Sequence, residues 1–280
     1  MRRAPAVLAL ALAAGCVGPP EHRRALEDPL VFRPQPYPAG DWSPAPAVED
    51  AWFDAPDGTR LHGWFAAADR PRAVVLFAHG NSGNVSGLRD VLHLFVGLDA
   101  SVLAFDYRGY GRSGGVPTEA GVLADARAAR RWLAGRCGVA EADVVLVGHS
   151  LGGGVAVGLA ARDGARGLVL AGTFTSLPDV ATAHFPLLPV HTLMRTRLDS
   201  LSKVRDYHGP LLQAHGDADR VVPYALGRKL FEAANEPKRF VTVAGAGHED
   251  VFDRPFVAAI DEFLGSLPAR GAPPDAGVGR

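Results

Sequence analysis

Cysteine is almost absent from this chain. Cys16 and Cys137 are its two copies, so no disulfide framework holds the fold together, and a chain that uses Cys16 elsewhere can form no intrachain bridge. An excess of positive charge is missing as well. With 29 Lys+Arg against 30 Asp+Glu, nothing is left over to neutralise a phosphate backbone, and nucleic acid is not expected as a partner. Lysine is rare, at Lys203, Lys229 and Lys238, a bias of composition to which no function is assigned. The apolar run at the start, Ala6 to Gly15, falls well short of the ~20 residues a membrane-spanning helix needs. What remains is ordinary for a protein with a packed core: 280 residues, 48% hydrophobic and 21% charged, enough for one large domain or two small ones.

The first residues read as an export signal over 1–15, with a positive start at Met1-Arg2-Arg3, a short apolar run and a small-residue end. The sequence Ala13-Ala14-Gly15-Cys16 is similar to a bacterial lipoprotein processing box. That similarity predicts a lipidated Cys16, export and anchoring to the cell envelope, with simple secretion as the alternative. Cys137 then reads as a small buried apolar group near a helix end. Residues 16–50 are rich in proline ("GPP", "FRPQPYPAG", "WSPAPAVE") and form either a tether or an extended strap lying on the domain. The other end, 267–280, reads as a disordered tail.

Between these ends, six short apolar runs recur: "AVVLFAH", "SVLAFD", "VVLVG", "GLVLAG", "PLLQAHG" and "FVTVAG". Runs with no polar alternation imply strands buried on both faces. Helical stretches are expected over 87–97, 118–135, 151–162 and 224–235, the second capped by Thr118 with Glu119 at its positive end. Alternating strands and helices predict an α/β fold, a mostly parallel central sheet covered on both faces. An antiparallel hairpin turning at Asp57-Gly58 precedes it, and the domain spans 51–266.

The third run ends in Gly148-His149-Ser150-Leu151-Gly152, a G-x-S-x-G turn where strand gives way to helix. Such a turn strains the serine backbone, needs glycine on either side, and presents the hydroxyl beyond the carboxyl edge of the sheet, where ligands bind. It predicts Ser150 as a nucleophile. A serine hydroxyl needs a base, and the base needs an orienting acid. In this arrangement they follow in the chain order serine, acid, histidine. His248 in "AGAGHED" is the histidine beyond the last strand. "HGDADRVVP" offers Asp217 and Asp219, of which Asp219 sits further into the loop and is the expected acid, Asp217 bracing the turn; Asp179 is a more distant rival. The oxyanion is expected on the backbone NH groups of Leu151, at the helix start, and Asn81, in "FAHGNSGN", with Asn84 or Ser82 steadying that loop.

Two patterns mislead. Gly109-Tyr110-Gly111-Arg112-Ser113-Gly114 spells a dinucleotide fingerprint, but Pro117 intervenes before any helix opens. His215, Asp217 and Asp219 have metal-ligand chemistry, yet the acid of a catalytic triad is drawn from the same group. No metal and no organic cofactor is expected.

Taken together, "FAHGNSGN", "FDYRGYGRSGG", "GHSLGG", "HGDADRVVP" and "GAGHED" resemble the α/β-hydrolase superfamily, and within it the Bem46-like and ABHD13/ABHD17-like serine hydrolases. The resemblance covers residues 51–266 and implies Ser150 as nucleophile, Asp219 as acid, His248 as base, and Asn81 with Leu151 as oxyanion donors; Asp106 and Arg108 of the "DYRGYG" loop read as structural. It implies a carboxylesterase or thioesterase acting on small-molecule acyl esters, with a peptidase or amidase, or a non-catalytic binding module, as alternatives. The apolar stretch in 174–207 is expected either to roof the site as a cap, favouring acyl chains, or to pack as plain core.

Overall fold

The computed structural model describes Glu27 and residues 31–43 and 47–269. The signal segment, Cys16 and residues 270–280 lie outside the described residues.

Each of the six apolar runs is a strand. They are β4 (Ala73–Ala78), β6 (Ala100–Phe105), β7 (Val144–His149), β8 (Gly167–Ala171), β9 (Leu211–Gly216) and β10 (Lys238–Val243). The hairpin expected before them is β2 (Val48–Asp54) and β3 (Arg60–Ala66), while β1 (Arg33–Pro34) and β5 (Ser82–Gly83) make a separate short parallel pair. The main sheet has the order β10-β9-β8-β7-β4-β6-β3-β2. Its six central and edge strands from β10 to β6 are parallel; β3 joins β6, and β2 joins β3, antiparallel. At the hairpin, Gly58 takes φ +81° and the Thr59 NH donates to Asp57 Oδ1 at 3.1 Å, the local turn that aspartate and glycine favour.

Helices cover both faces, as buried apolar strands require. α2 (Glu119–Cys137) and α3 (Leu151–Asp163) press Val122, Leu133, Val155 and Leu159 onto one face. On the other lie α1 (Arg89–Gly97), with Leu92 and Phe95, and α8 (Arg254–Ser266), with Phe256, Ile260 and Leu264. Burying one such side chain contributes about 1.5–3 kcal/mol. Thr118 caps α2 through the Gly121 NH, and Gly138 ends it in the left-handed region. Cys137, its last residue, is half-buried against the core. α8 lies outside the expected helical stretches, although Asp253 caps it through the Phe256 NH and Pro255 stands in its first turn.

α4 (Leu177–His184), α5 (Val190–Leu193) and α6 (Ser200–Lys203) lie between β8 and β9, and α7 (Tyr224–Ala233) lies between β9 and β10. The described part of the proline-rich segment runs along the domain. Arg33 NH donates to the Asn81 carbonyl at 2.8 Å, Tyr37 NH to Gly111 at 2.7 Å, and the Asn84 side-chain amide to the carbonyls of Gln35 and Ala39 at 2.8 Å each. Glu27 accepts the Arg195 and Thr196 NH groups at 2.9 and 2.7 Å, tying this strap to the segment that follows α5.

The glycine-rich loop after β6 opens no helix before Glu119. It is pinned by Arg108, whose Nε and Nη2 donate to Asp125 at 3.0 and 2.8 Å while Nη1 donates to Asp57 at 2.8 Å. Asp125 is fully buried. Asp125→Ala leaves the guanidinium without its main partner and is expected to cost about 3–5 kcal/mol of stability, read as a lower midpoint in urea denaturation.

Candidate active site

Ser150 stands alone between β7 and α3 with φ 54° and ψ −120°, a conformation that costs a non-glycine residue roughly 1–3 kcal/mol and persists only where neighbours enforce it. Here they do. Ser150 NH donates to the Ala171 carbonyl at 2.9 Å, and its own carbonyl accepts Thr173 Oγ1 and the Gly153 NH, both at 2.9 Å. A Cβ on Gly148 would overlap the Gly152 backbone, and one on Gly152 would overlap the Ala78 carbonyl. The flanking glycines therefore answer to a close approach of three backbone segments.

Three residues far apart in sequence meet at this turn. His248 Nε2 lies 2.8 Å from Ser150 Oγ, and His248 Nδ1 lies 2.7 Å from Asp219 Oδ2. The carboxylate is an acceptor, so Nδ1 carries the proton and Nε2 offers its lone pair to the serine hydroxyl. Asp219 is itself held: Oδ1 accepts the Val221 and Val222 NH groups at 2.8 Å each. His215 Nε2 lies 3.3 Å from Oδ2 and donates to the Val222 carbonyl at 2.9 Å. Burial raises the Asp219 pKa, but hydrogen bonds from His215, His248 and the Val222 NH outweigh it and hold the carboxyl below the usual range.

The rival carboxylates are used elsewhere. Asp217 Oδ1 accepts the Gly245 NH at 2.6 Å, joining the acid loop to the turn that leads to His248. Asp179 takes Thr175 Oγ1 at 2.6 Å and pairs with His191 at 3.2 Å. Among the described residues no group of three His, Cys, Asp or Glu side chains is placed to hold a metal ion.

Asn81 borders the serine on the loop after β4. Its side-chain amide donates to the Val31 carbonyl at 3.1 Å, and its carbonyl accepts the Arg33 NH and Tyr110 OH at 2.8 Å each. No acceptor among the described residues takes its own NH. Leu151 is the first residue of α3, so its NH belongs to the donors a helix leaves unpaired. Asn84, rather than Ser82, braces the loop: its Oδ1 accepts the Ser86 NH at 3.0 Å while its amide holds the strap.

Sequence reasoning missed three positioning groups, Tyr107, Tyr110 and His149. Tyr107 OH donates to the His79 carbonyl at 2.9 Å, as Tyr110 OH does to Asn81, so the "DYRGYG" loop holds the strand end from beneath. Asp106 completes that support by accepting the Val85 NH at 2.8 Å. A buried tyrosine hydroxyl needs a partner, the one signal that could have found the two tyrosines. The third group is His149, whose Nε2–H donates to the His248 carbonyl at 3.1 Å. Burial, then the neighbouring His248, lowers the His149 pKa.

Two cavities open beside Ser150. The first, about 180 Å³, is lined by Leu151, Phe174, Leu177, Val180, Phe185 and Met194, together with Glu27 and Val31 from the strap. Residues 174–194 thus contribute apolar side chains to a cavity that borders the serine. The second, about 260 Å³, is bordered by the 79–84 loop, His149 and His248.

Residues 69–200 match the family described as serine aminopeptidase, S33. The chain is 40% identical over 242 residues to the uncharacterized protein Rv2307c of Mycobacterium tuberculosis, covering 84% of this chain and 86% of that one. It is 30% identical over 225 residues, and 73% of each chain, to the alpha/beta hydrolase domain-containing protein WAV2 of Arabidopsis thaliana. The Pyrococcus furiosus esterase Pf2001 shares its fold at a TM-score of 0.70, with 20% identity over 85% of this chain and 98% of that one. Identity sustained across nearly three quarters of the WAV2 sequence, on a sheet that ends its central strand in a strained serine turn, makes this chain a hydrolase of the α/β-hydrolase superfamily.

Proposed function

We propose that the chain is a serine hydrolase that cleaves carboxylic esters or thioesters of small to medium acyl groups through an acyl-enzyme. The observation that carries this reading is the unbroken hydrogen-bond chain from Ser150 Oγ through His248 to Asp219. His248 Nε2 takes the serine proton as Oγ attacks the carbonyl carbon, and the NH groups of Leu151 and Asn81 receive the oxyanion. His248 then protonates the leaving alcohol or thiol, and afterwards takes a proton from the water that releases the acid. Asp219, its carboxyl held below the usual range, stabilises the imidazolium. None of these steps calls for a metal or organic cofactor.

The apolar cavity under residues 174–194 suits an acyl chain. The S33 family description raises aminopeptidase activity as the second reading. Such an enzyme must hold the α-ammonium of its substrate on the acyl side of the bond. Glu27 is the one carboxylate lining that cavity among the described residues, and backbone NH groups of Arg195 and Thr196 already occupy it. Ester cleavage is therefore the better fit.

Ser150→Ala is expected to abolish both labelling by a fluorophosphonate probe and hydrolysis of nitrophenyl esters; a folded wild type that takes no label would instead favour a binding module. Faster turnover of aminoacyl anilides than of nitrophenyl esters would favour the peptidase. Asp219→Asn should lower kcat by about 10⁴, and Asp217→Asn by far less.

The Asp219 carboxyl also sets a pH dependence of stability. Its folded pKa lies below the unfolded value of about 3.9, so the unfolded chain binds the proton more readily. The stabilisation is fully present above that value and is lost as pH falls through the folded pKa. The urea-midpoint difference between wild type and Asp219→Asn should accordingly shrink between neutral pH and about pH 3.

We further propose that the chain is exported and anchored through lipid on Cys16, on the strength of the leader and the Ala13-Ala14-Gly15-Cys16 sequence. Metabolic palmitate label should enter the wild type and be lost in Cys16→Ser.

A further inference from the structure

The two cavities share Ser150 and Asn81 but differ in chemistry. A tetrahedral carbon on Ser150 Oγ carries three other arms: the oxyanion, the acyl chain and the leaving oxygen. When the intermediate collapses, the bond from carbon to the leaving oxygen breaks, and the proton held on His248 Nε2 passes to that oxygen. The leaving group must therefore depart on the imidazole side. His248 lines the second cavity and not the first. Resting on the reading of Ser150 as nucleophile, this allots the apolar cavity to the acyl chain and the second cavity to the alcohol.

The walls of the second cavity then describe that alcohol. Phe77, Leu88, Val91 and Phe252 supply its apolar lining, and Ser82, Asn84, His149 and Glu249 its polar groups. His149 Nε2–H is spent on the His248 carbonyl, so its Nδ1 presents a lone pair. A Cβ built on Gly80 would stand 3.5 Å from that nitrogen and 3.6 Å from Ser150 Cβ; the glycine keeps the space between them clear. Asn84 Oδ1 already takes the Ser86 NH, so the Glu249 carboxylate is the further acceptor. Among the described lining residues there is no lysine or arginine. Arg89, next to Leu88, is turned away: its Nη2 donates to the carbonyls of Asp41 and Ser43, and its guanidinium lies 5.6 Å from the Trp64 ring centre. Acceptors without a cation suit hydroxyl donors and repel anions.

We propose that this cavity binds the leaving group as an uncharged polyhydroxyl alcohol, of the glycerol or sugar kind, and discriminates against its phosphorylated counterpart.

The test compares the full chain on octanoyl glycerol, octanoyl glycerol phosphate and methyl octanoate, with nitrophenyl octanoate as the reference. Values of kcat/KM for the glycerol ester should exceed those for the methyl ester by about tenfold and those for the phosphorylated ester by about a hundredfold. Gly80→Ala makes contacts of ordinary length, so the fold should tolerate it, but it fills the space before His149 Nδ1; the glycerol-to-methyl ratio should drop toward one. Glu249→Lys should raise the phosphorylated-to-neutral ratio by about tenfold. Equal rates on the glycerol and methyl esters, a wild-type preference for the phosphorylated ester, or ratios that neither variant moves would overturn the inference while leaving the esterase reading intact. Failure to cleave nitrophenyl octanoate would remove the esterase reading and this inference with it.

Discussion

The first turn of α3 lies so close to the end of β4 that no side chain fits between Gly152 and the Ala78 carbonyl. That contact is the constraint on which the rest depends. It forces the chain to turn within one residue, which puts Ser150 at positive φ and lifts its hydroxyl off the sheet edge. It also brings the start of α3 beside the loop that follows β4, so that Leu151 and Asn81 line one cavity with Ser150. Packing in the sheet thereby opposes the strain at the serine, and the site is assembled before any ligand arrives.

Around this turn the polar groups are secured in layers. His248 is held by Asp219, Asp219 by two backbone NH groups and His215, and the His248 carbonyl by His149. The opposite wall is held from below by the hydroxyls of Tyr107 and Tyr110 and from outside by the proline-rich strap. Each tie fixes a backbone carbonyl or a ring orientation, so the reacting atoms meet with little reorganisation.

Much of this was legible in the sequence, and for identifiable reasons. Unbroken apolar runs have few other uses than doubly covered strands, so the parallel sheet could be read directly. Ser150, Asp219 and His248 could be named because chain order and strand ends narrow the choice among ten histidines and thirty acids to a few loops. Asp217 and Asp219, two residues apart, were separable only in part: which one reaches His248 depends on the NH groups of Val221 and Val222 folding back onto Asp219. Tyr107, Tyr110 and His149 were hidden for a different reason. Their partners are main-chain carbonyls, which carry no residue identity for a sequence to display. The strap was undecidable in the same way, since proline fixes local extension but not the surface it lies against.

That strap changes what counts as the functional unit. Residues 31–43 come before the hairpin that opens the main sheet, and a fragment cut at Val48 would keep every strand of that sheet. It would nevertheless lose the acceptor of the Asn81 side-chain amide, one of the two donors to the Asn81 carbonyl and one wall of the apolar cavity. Tension on the strap would pass through Glu27 to the Arg195–Thr196 backbone and through residues 31–39 to Asn81 and Asn84, making the strap and the serine site mechanically one object.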